Sequence, residues 1–131
     1  MNNALNNAAI AAVTAAGYEQ QPHRCERWVR QVCQHVYGNK YDAFWRASAR
    51  ETGLAFVEDG RFVVPLQAGS VPGDLLFKLY GSGGDGHVGI RVLSNRVAEN
   101  SSVHWQDNHH DARGFRTLIE FEHYDVIVRL S

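Results

Sequence analysis

Gly86-His87-Val88-Gly89-Ile90-Arg91-Val92-Leu93 is followed, after Ser94-Asn95, by Arg96-Val97-Ala98-Glu99-Asn100-Ser101-Ser102. Aliphatic residues at every second position are the mark of a half-buried strand. The two runs therefore predict a pair of antiparallel strands joined by a short turn. Alternation puts Val88, Ile90 and Val92 on the core side and His87 with Gly89 on the other, where the missing side chain of Gly89 leaves space beside the imidazole. Only one of Glu99 and Asn100 can share the face of His87, and the pairing register that decides between them is not contained in the pattern.

Further short β-type runs lie on both sides of this pair. They are Ala55-Phe56-Val57, Phe62-Val63-Val64, Leu75-Leu76-Phe77 and Val126-Ile127-Val128, punctuated by Asp59-Gly60, Pro72-Gly73 and the glycines from Gly81 to Gly86. The biased run Gly81-Ser82-Gly83-Gly84-Asp85-Gly86 is too short to link domains and reads as a mobile loop leading to His87. Before Leu54 the texture is helical. Asn3 to Ala16 is Ala-rich, with Gly17 placed to close a first helix. After Pro22 the apolar residues Trp28, Val29, Val32, Cys33 and Val36 recur at three and four positions as far as Gly38, which puts Cys25 in the first turn of a second helix. Asn39 is expected to cap a third helix whose apolar face is Phe44 and Trp45, ending at Gly53. Helices first and strands second predict an α+β fold, N-terminal helices packed on a small antiparallel sheet. One domain over 1–131 is expected, with 1–20 as an N-terminal helical extension.

Composition narrows the function classes. A chain of 131 residues that is 44% hydrophobic can bury one core. Its 13 Lys+Arg against 14 Asp+Glu leave a formal charge of −1, so there is no overall basic field for nucleic acid. The apolar stretch Ala8 to Val13 breaks at Thr14 and Gly17, far short of the roughly 18 residues a membrane span needs, and no membrane insertion is expected. Met1 to Asn7 carries no Lys or Arg, so no export leader is expected either. Two cysteines are too few for a secreted disulfide scaffold. On one helix Cys25 and Cys33 would sit about 12 Å apart, beyond the roughly 7 Å a disulfide spans.

The chemistry-bearing residues follow from placement. A thiol in the first turn of a helix is favoured as thiolate by the unpaired N–H groups there, which makes Cys25 a candidate nucleophile. Cys33, about 80° further round the helix beside Val29 and Val32, is a core residue. An imidazole at the start of a strand, His87, can take the thiol proton and return it to a leaving amine if a third group fixes its tautomer. Glu99 and Asn100 are the candidates for that group. Each residue alone has an ordinary reading, as buried cysteine, surface histidine or surface carboxylate; their order and spacing carry the inference. Asp74, after Pro72-Gly73, is expected to accept backbone N–H bonds in a turn. His104, His109 and His110 with Asp107 and Asp111 match no metal-site spacing and read as a polar loop, so neither metal nor cofactor is expected. Trp105 in that loop either lines a groove or packs over the sheet.

Val71-Pro72-Gly73-Asp74-Leu75-Leu76-Phe77, Gly86-His87-Val88-Gly89-Ile90 and Val97 to Ser102 together resemble the catalytic sheet of the NlpC family of peptidoglycan cysteine peptidases. In that family the third catalytic residue lies twelve positions after the catalytic His, the offset of Glu99 from His87, so the resemblance favours Glu99 over Asn100. Around the cysteine, Arg24-Cys25-Glu26-Arg27-Trp28-Val29 departs from the NlpC pattern Asp-Cys-Ser-Gly and looks like the CHAP amidases, which place an aromatic and a small apolar residue three and four positions after Cys. Both groups belong to the papain-like superfamily, and the likeness covers Cys25 to Val128. It implies a papain-like fold, with Cys25 as nucleophile, His87 as base and Glu99 as orienting residue. The substrate it implies is an amide bond in a peptidoglycan stem or cross-bridge peptide. A monomer is the expected state, an inhibitor or immunity protein a further partner, and delivery by phage, by a secretion machine, or within a longer exported protein. Two rival expectations stand beside it: acyl transfer on the same scaffold, and a non-catalytic domain that binds a cell-wall or protein ligand through a groove of Trp28, Trp45 or Trp105.

Overall fold

Helix α1 (Asn3–Ala12) begins at Asn2, whose side-chain oxygen accepts from the Leu5 N–H at 3.1 Å. The computed structural model describes residues 1–131, the side chains of Ser82 and Asn108 excepted. Asn2 also ties the helix to the rest of the chain, its N–H donating to the Pro72 carbonyl at 3.0 Å and its amide to the Leu130 carbonyl at 2.9 Å. With Leu5, Ala9 and Ala12 buried, α1 is part of the core and not an appendage to it. It stops short of the expected Ala16. The carbonyls of Ala12 and Ala15 are taken by the buried guanidinium of Arg113, at 3.0 and 2.5 Å, a partner a hundred residues away that local sequence does not announce.

Helix α2 (Cys25–Tyr37) buries Trp28, Val29, Val32 and Cys33, the stripe that its sequence period predicts, and ends at Gly38 with φ of +60°. The third helix differs from expectation. Residues 38–44 form turns, and α3 runs Ala49–Asp59 to a left-handed Gly60. Ser48 caps it, accepting from the Glu51 N–H at 3.1 Å and donating to the Glu51 carboxylate at 3.1 Å, so the spacing Ser48-x-x-Glu51 outweighs the Asn39 signal. Ala55-Phe56-Val57 is therefore helical, not a strand. Gly53 lies inside α3, where a Cβ would sit 2.8 Å from Leu79 Cδ2 and 3.0 Å from Phe77 Cδ1; its absence lets the helix approach the sheet. Phe44 stacks on Phe56 at 4.3 Å between ring centroids and Trp45 meets the same ring edge-on, so both are buried as core without being helical.

Six strands form one antiparallel sheet in the order β1-β6-β2-β3-β4-β5: β1 (Val63–Val64), β2 (Leu75–Lys78), β3 (His87–Val92), β4 (Arg96–Asn100), β5 (Arg113–Thr117) and β6 (Val126–Val128). With helices α1 to α3 and a short α4 (Ser102–Asn108), the architecture is α+β. Leu75, Phe77, Val88, Ile90, Val92, Ala98 and Val128 pack against the helices. On the opposite face Leu76, Val97 and Ile127 pack under Phe121, a second and smaller apolar cluster. Asp74 is structural: it takes the Val71 N–H at 2.9 Å and two bonds from Arg129, each 2.9 Å. The glycine run 81–86 closes on itself through Gly86 N–H to the Gly81 carbonyl at 3.2 Å and is fastened to α3 by Arg50 N–H to the Asp85 carbonyl at 2.9 Å. Among the described residues no helix is long and apolar enough to cross a membrane.

Candidate active site

Cys25 is the first residue of α2, and the preceding Arg24 gives no side-chain cap. The N–H groups of the first turn are thus left to face whatever negative charge sits at the helix start. The loop before Cys25 is held from two sides. Gln31 of α2 accepts from the Glu19 N–H at 2.7 Å, and Asn100 of β4 donates to the Gln21 carbonyl at 2.8 Å. The position of Cys25 is therefore fixed by both helix and sheet.

His87 opens β3 opposite Lys78 of β2. Ile90 pairs with Ala98, and alternation then puts Glu99 on the face of His87 while Asn100 turns with Ala98 toward the helices. His87 Nε2 lies 2.6 Å from Glu99 Oε1. Cys25 and the imidazole border the same cleft and interact electrostatically, and Nδ1 is the ring nitrogen that Glu99 does not engage. Asn100 does not reach His87: its amide nitrogen is spent on Gln21, and its Oδ1 is buried without a partner among the described residues. Nor does Gly89 make room for the imidazole; a Cβ there would meet Val97 Cγ1 at 2.5 Å and Phe121 Cε2 at 3.3 Å, so it makes room for the second apolar cluster.

Glu99 is fully buried and carries its charge because four donors converge on it. Oε1 takes His87 Nε2 and Arg116 Nη2 at 2.6 and 2.8 Å, while Oε2 takes His104 Nε2 and Arg116 Nε at 2.9 and 2.5 Å. Burial alone would raise its pKa, but His104, His87 and Arg116 hold the carboxyl far below the usual range. For His87, burial alone would favour the neutral ring, yet its interactions with Cys25 and Glu99 prevail and its pKa is raised to about 9. At neutral pH the ring is an imidazolium on the cleft that Cys25 borders. Burial first, and the Glu26 carboxylate second, push the Cys33 thiol strongly upward. Both cysteines are free.

His104 and Arg116 are the site residues that sequence reasoning missed. His104 belongs to α4, where a polar loop was expected, capped by Ser101 accepting from the Val103 N–H at 3.2 Å. Arg116 belongs to β5, whose Arg113-Gly114-Phe115-Arg116-Thr117 shows one large apolar residue and so no strand pattern. The one signal available was Gly114, since a Cβ there would lie 2.6 Å from His104 Nδ1. Gly114→Ala is expected to expel the His104 ring without touching Glu99, lowering kcat/KM by about ten- to a hundredfold through misplacement of the His87–Glu99 pair. Steady-state kinetics check this, and unaltered kinetics would show that His104 does not act through Glu99.

Cys25, His87, Asn100 and Arg116 border a cleft of about 810 Å³ between the start of α2 and the β3–β4 end of the sheet. Trp28 and Trp45 are buried in the core and line no groove, and Trp105 is half-buried. Among the described residues no group of three or more His, Cys, Asp or Glu is placed to hold a metal ion. Compared with known protein families and with curated proteins, the chain matches none of either.

Proposed function

We propose that this protein is a papain-like cysteine hydrolase, of the kind represented by NlpC and CHAP enzymes, that cleaves amide bonds in peptidoglycan peptides. The observation that carries the reading is the meeting, on one cleft, of Cys25 at a helix N-terminus with His87, whose Nε2 is held by the buried Glu99. Helix cysteine, strand histidine and next-strand carboxylate follow one another in the order that the resemblance implies.

In this reading the Cys25 thiolate attacks the scissile carbonyl, and N–H groups of the first turn of α2 stabilise the oxyanion. His87 gives its proton to the leaving amine, then takes one from the water that attacks the thioester. Glu99 keeps Nε2–H engaged, so that the ring presents Nδ1 to the sulfur.

The pH dependence follows from the raised pKa of His87. Hydrolysis needs the imidazolium as proton donor, so kcat/KM is expected to fall as pH rises through about 9. Alkylation of Cys25 by iodoacetamide needs only the thiolate and is expected to persist above that pH. Parallel decline of both rates would remove His87 from the acid role.

The reading is tested by digesting purified peptidoglycan and identifying the fragments by mass spectrometry. New amine and carboxyl ends in equal amounts are expected, and the cut bond names the specificity. Peptidoglycan left intact by protein whose Cys25 alkylates readily would overturn the cell-wall substrate.

A further inference from the structure

The chain is slightly acidic overall, yet its cleft is not. Arg24, Arg27, Arg30, Lys78 and Arg116 line it, against Glu26, Glu51 and Asp85. Several half-buried cations of the fold already have a carboxylate: Arg30 has Glu26, Arg113 has Asp111, Arg116 has Glu99 and Arg129 has Asp74. Lys78 has none. Among the described residues its side chain forms no salt bridge and no hydrogen bond, and its ammonium lies 4.4 Å from the centroid of the Phe121 ring. Burial, and next the neighbouring Arg116, disfavour its charged form. Glu99, Glu122 and Asp125 act on it only from a distance, Glu99 being taken by His87, His104 and Arg116, Asp125 being hydrogen-bonded to the Leu79 N–H at 2.8 Å and Glu122 being exposed beside His123. A half-buried cation left in this state is stabilised by an anion brought from outside.

Its position says where that anion would sit. Lys78 is the residue paired with His87 across β2 and β3, and His87 is the group that delivers the proton to the leaving amine. The amine side of the substrate therefore lies nearest Lys78. We propose that the cleft selects peptides whose amine-side residue, next to the scissile bond, carries a free carboxylate, and that Lys78 receives that carboxylate. This rests on the cysteine-hydrolase reading and deepens it. A charge-assisted contact of this kind discriminates a carboxylate from its neutral amide by about tenfold or more.

The test uses two synthetic stem peptides identical except for a free carboxylate or a carboxamide on the residue that leaves as amine. Their kcat/KM values are measured with wild type and Lys78→Gln, and their binding to Cys25→Ala and to Cys25→Ala/Lys78→Gln by calorimetry. Wild type is expected to prefer the carboxylate by about tenfold or more. Lys78→Gln is expected to bring the ratio near one, with unchanged Cys25 alkylation reporting that its site is still assembled. Absence of preference in wild type, a preference that survives in Lys78→Gln, or binding of neither peptide would overturn the carboxylate site. Tighter binding of the carboxylate peptide that depends on Lys78, with neither peptide cut by wild type, would instead leave the carboxylate site standing and sink the hydrolase reading.

Discussion

Replacing Cys25 by Ala is expected to reduce peptide hydrolysis at least about ten-thousandfold, to the level left by binding and oxyanion stabilisation alone. The thiol is partly exposed at the first position of α2, so its loss opens no core cavity and the protein should melt near the wild-type temperature. A second consequence separates this from simple loss of a contact. Burial pushes His87 toward the neutral form, and Cys25 is the first of the partners that reverse this. Without the thiol the imidazole should titrate well below about 9, a change read directly from its ring proton resonances. Iodoacetamide should add one adduct to native wild type and none to Cys25→Ala, because Cys33 is 1% exposed and its thiol is held protonated by burial. Hydrolysis by Cys25→Ala at the wild-type rate would end the nucleophile assignment.

The parts of this fold legible in sequence are those with a local signal. The α2 stripe, the β3–β4 alternation and the turn at Pro72-Gly73 are each written in neighbouring residues, and each stands where its pattern puts it. What was not legible depends on partners far along the chain. Asn39 and Ser48 compete as helix caps, and the burial of Phe44 and Trp45 against Phe56 favours Ser48 only once α3 is docked on β2. β5 has no apolar period because its residues serve a carboxylate and a helix end: Arg116 binds Glu99, and Arg113 takes the last carbonyls of α1. The same holds within the site. The choice between Glu99 and Asn100 was confined to one position of register, yet the reason a bare carboxylate survives at full burial lies in His104 and Arg116, which the sequence presents as loop and surface residues.

That dependence makes Glu99 the position where stability and catalysis are expected to fail together and then to come apart. Glu99→Leu leaves Arg116, itself only 17% exposed, facing an apolar side chain together with two imidazoles. An uncompensated buried charge costs about 3–5 kcal/mol, which in a domain of this size lowers the melting temperature by about 10 °C or more. Loss of the orienting carboxylate should also lower kcat about a thousand- to ten-thousandfold. Removing both sides of the pair, in Glu99→Leu/Arg116→Leu, is expected to recover a large part of the stability, since a buried ion pair replaced by apolar groups of similar size is close to neutral. It should recover none of the activity, because nothing then fixes the tautomer of His87 or sustains its charge. With the carboxylate gone, His87 should lose part of its stability-linked protonation as well: the wild-type contribution, complete below the ordinary 6.5 and lost as pH rises through about 9, should shrink in the pH dependence of unfolding to what Cys25 alone sustains. Thermal melts and single-turnover rates of the two variants decide the matter; recovery of activity in the double variant would show that Glu99 serves only to neutralise Arg116.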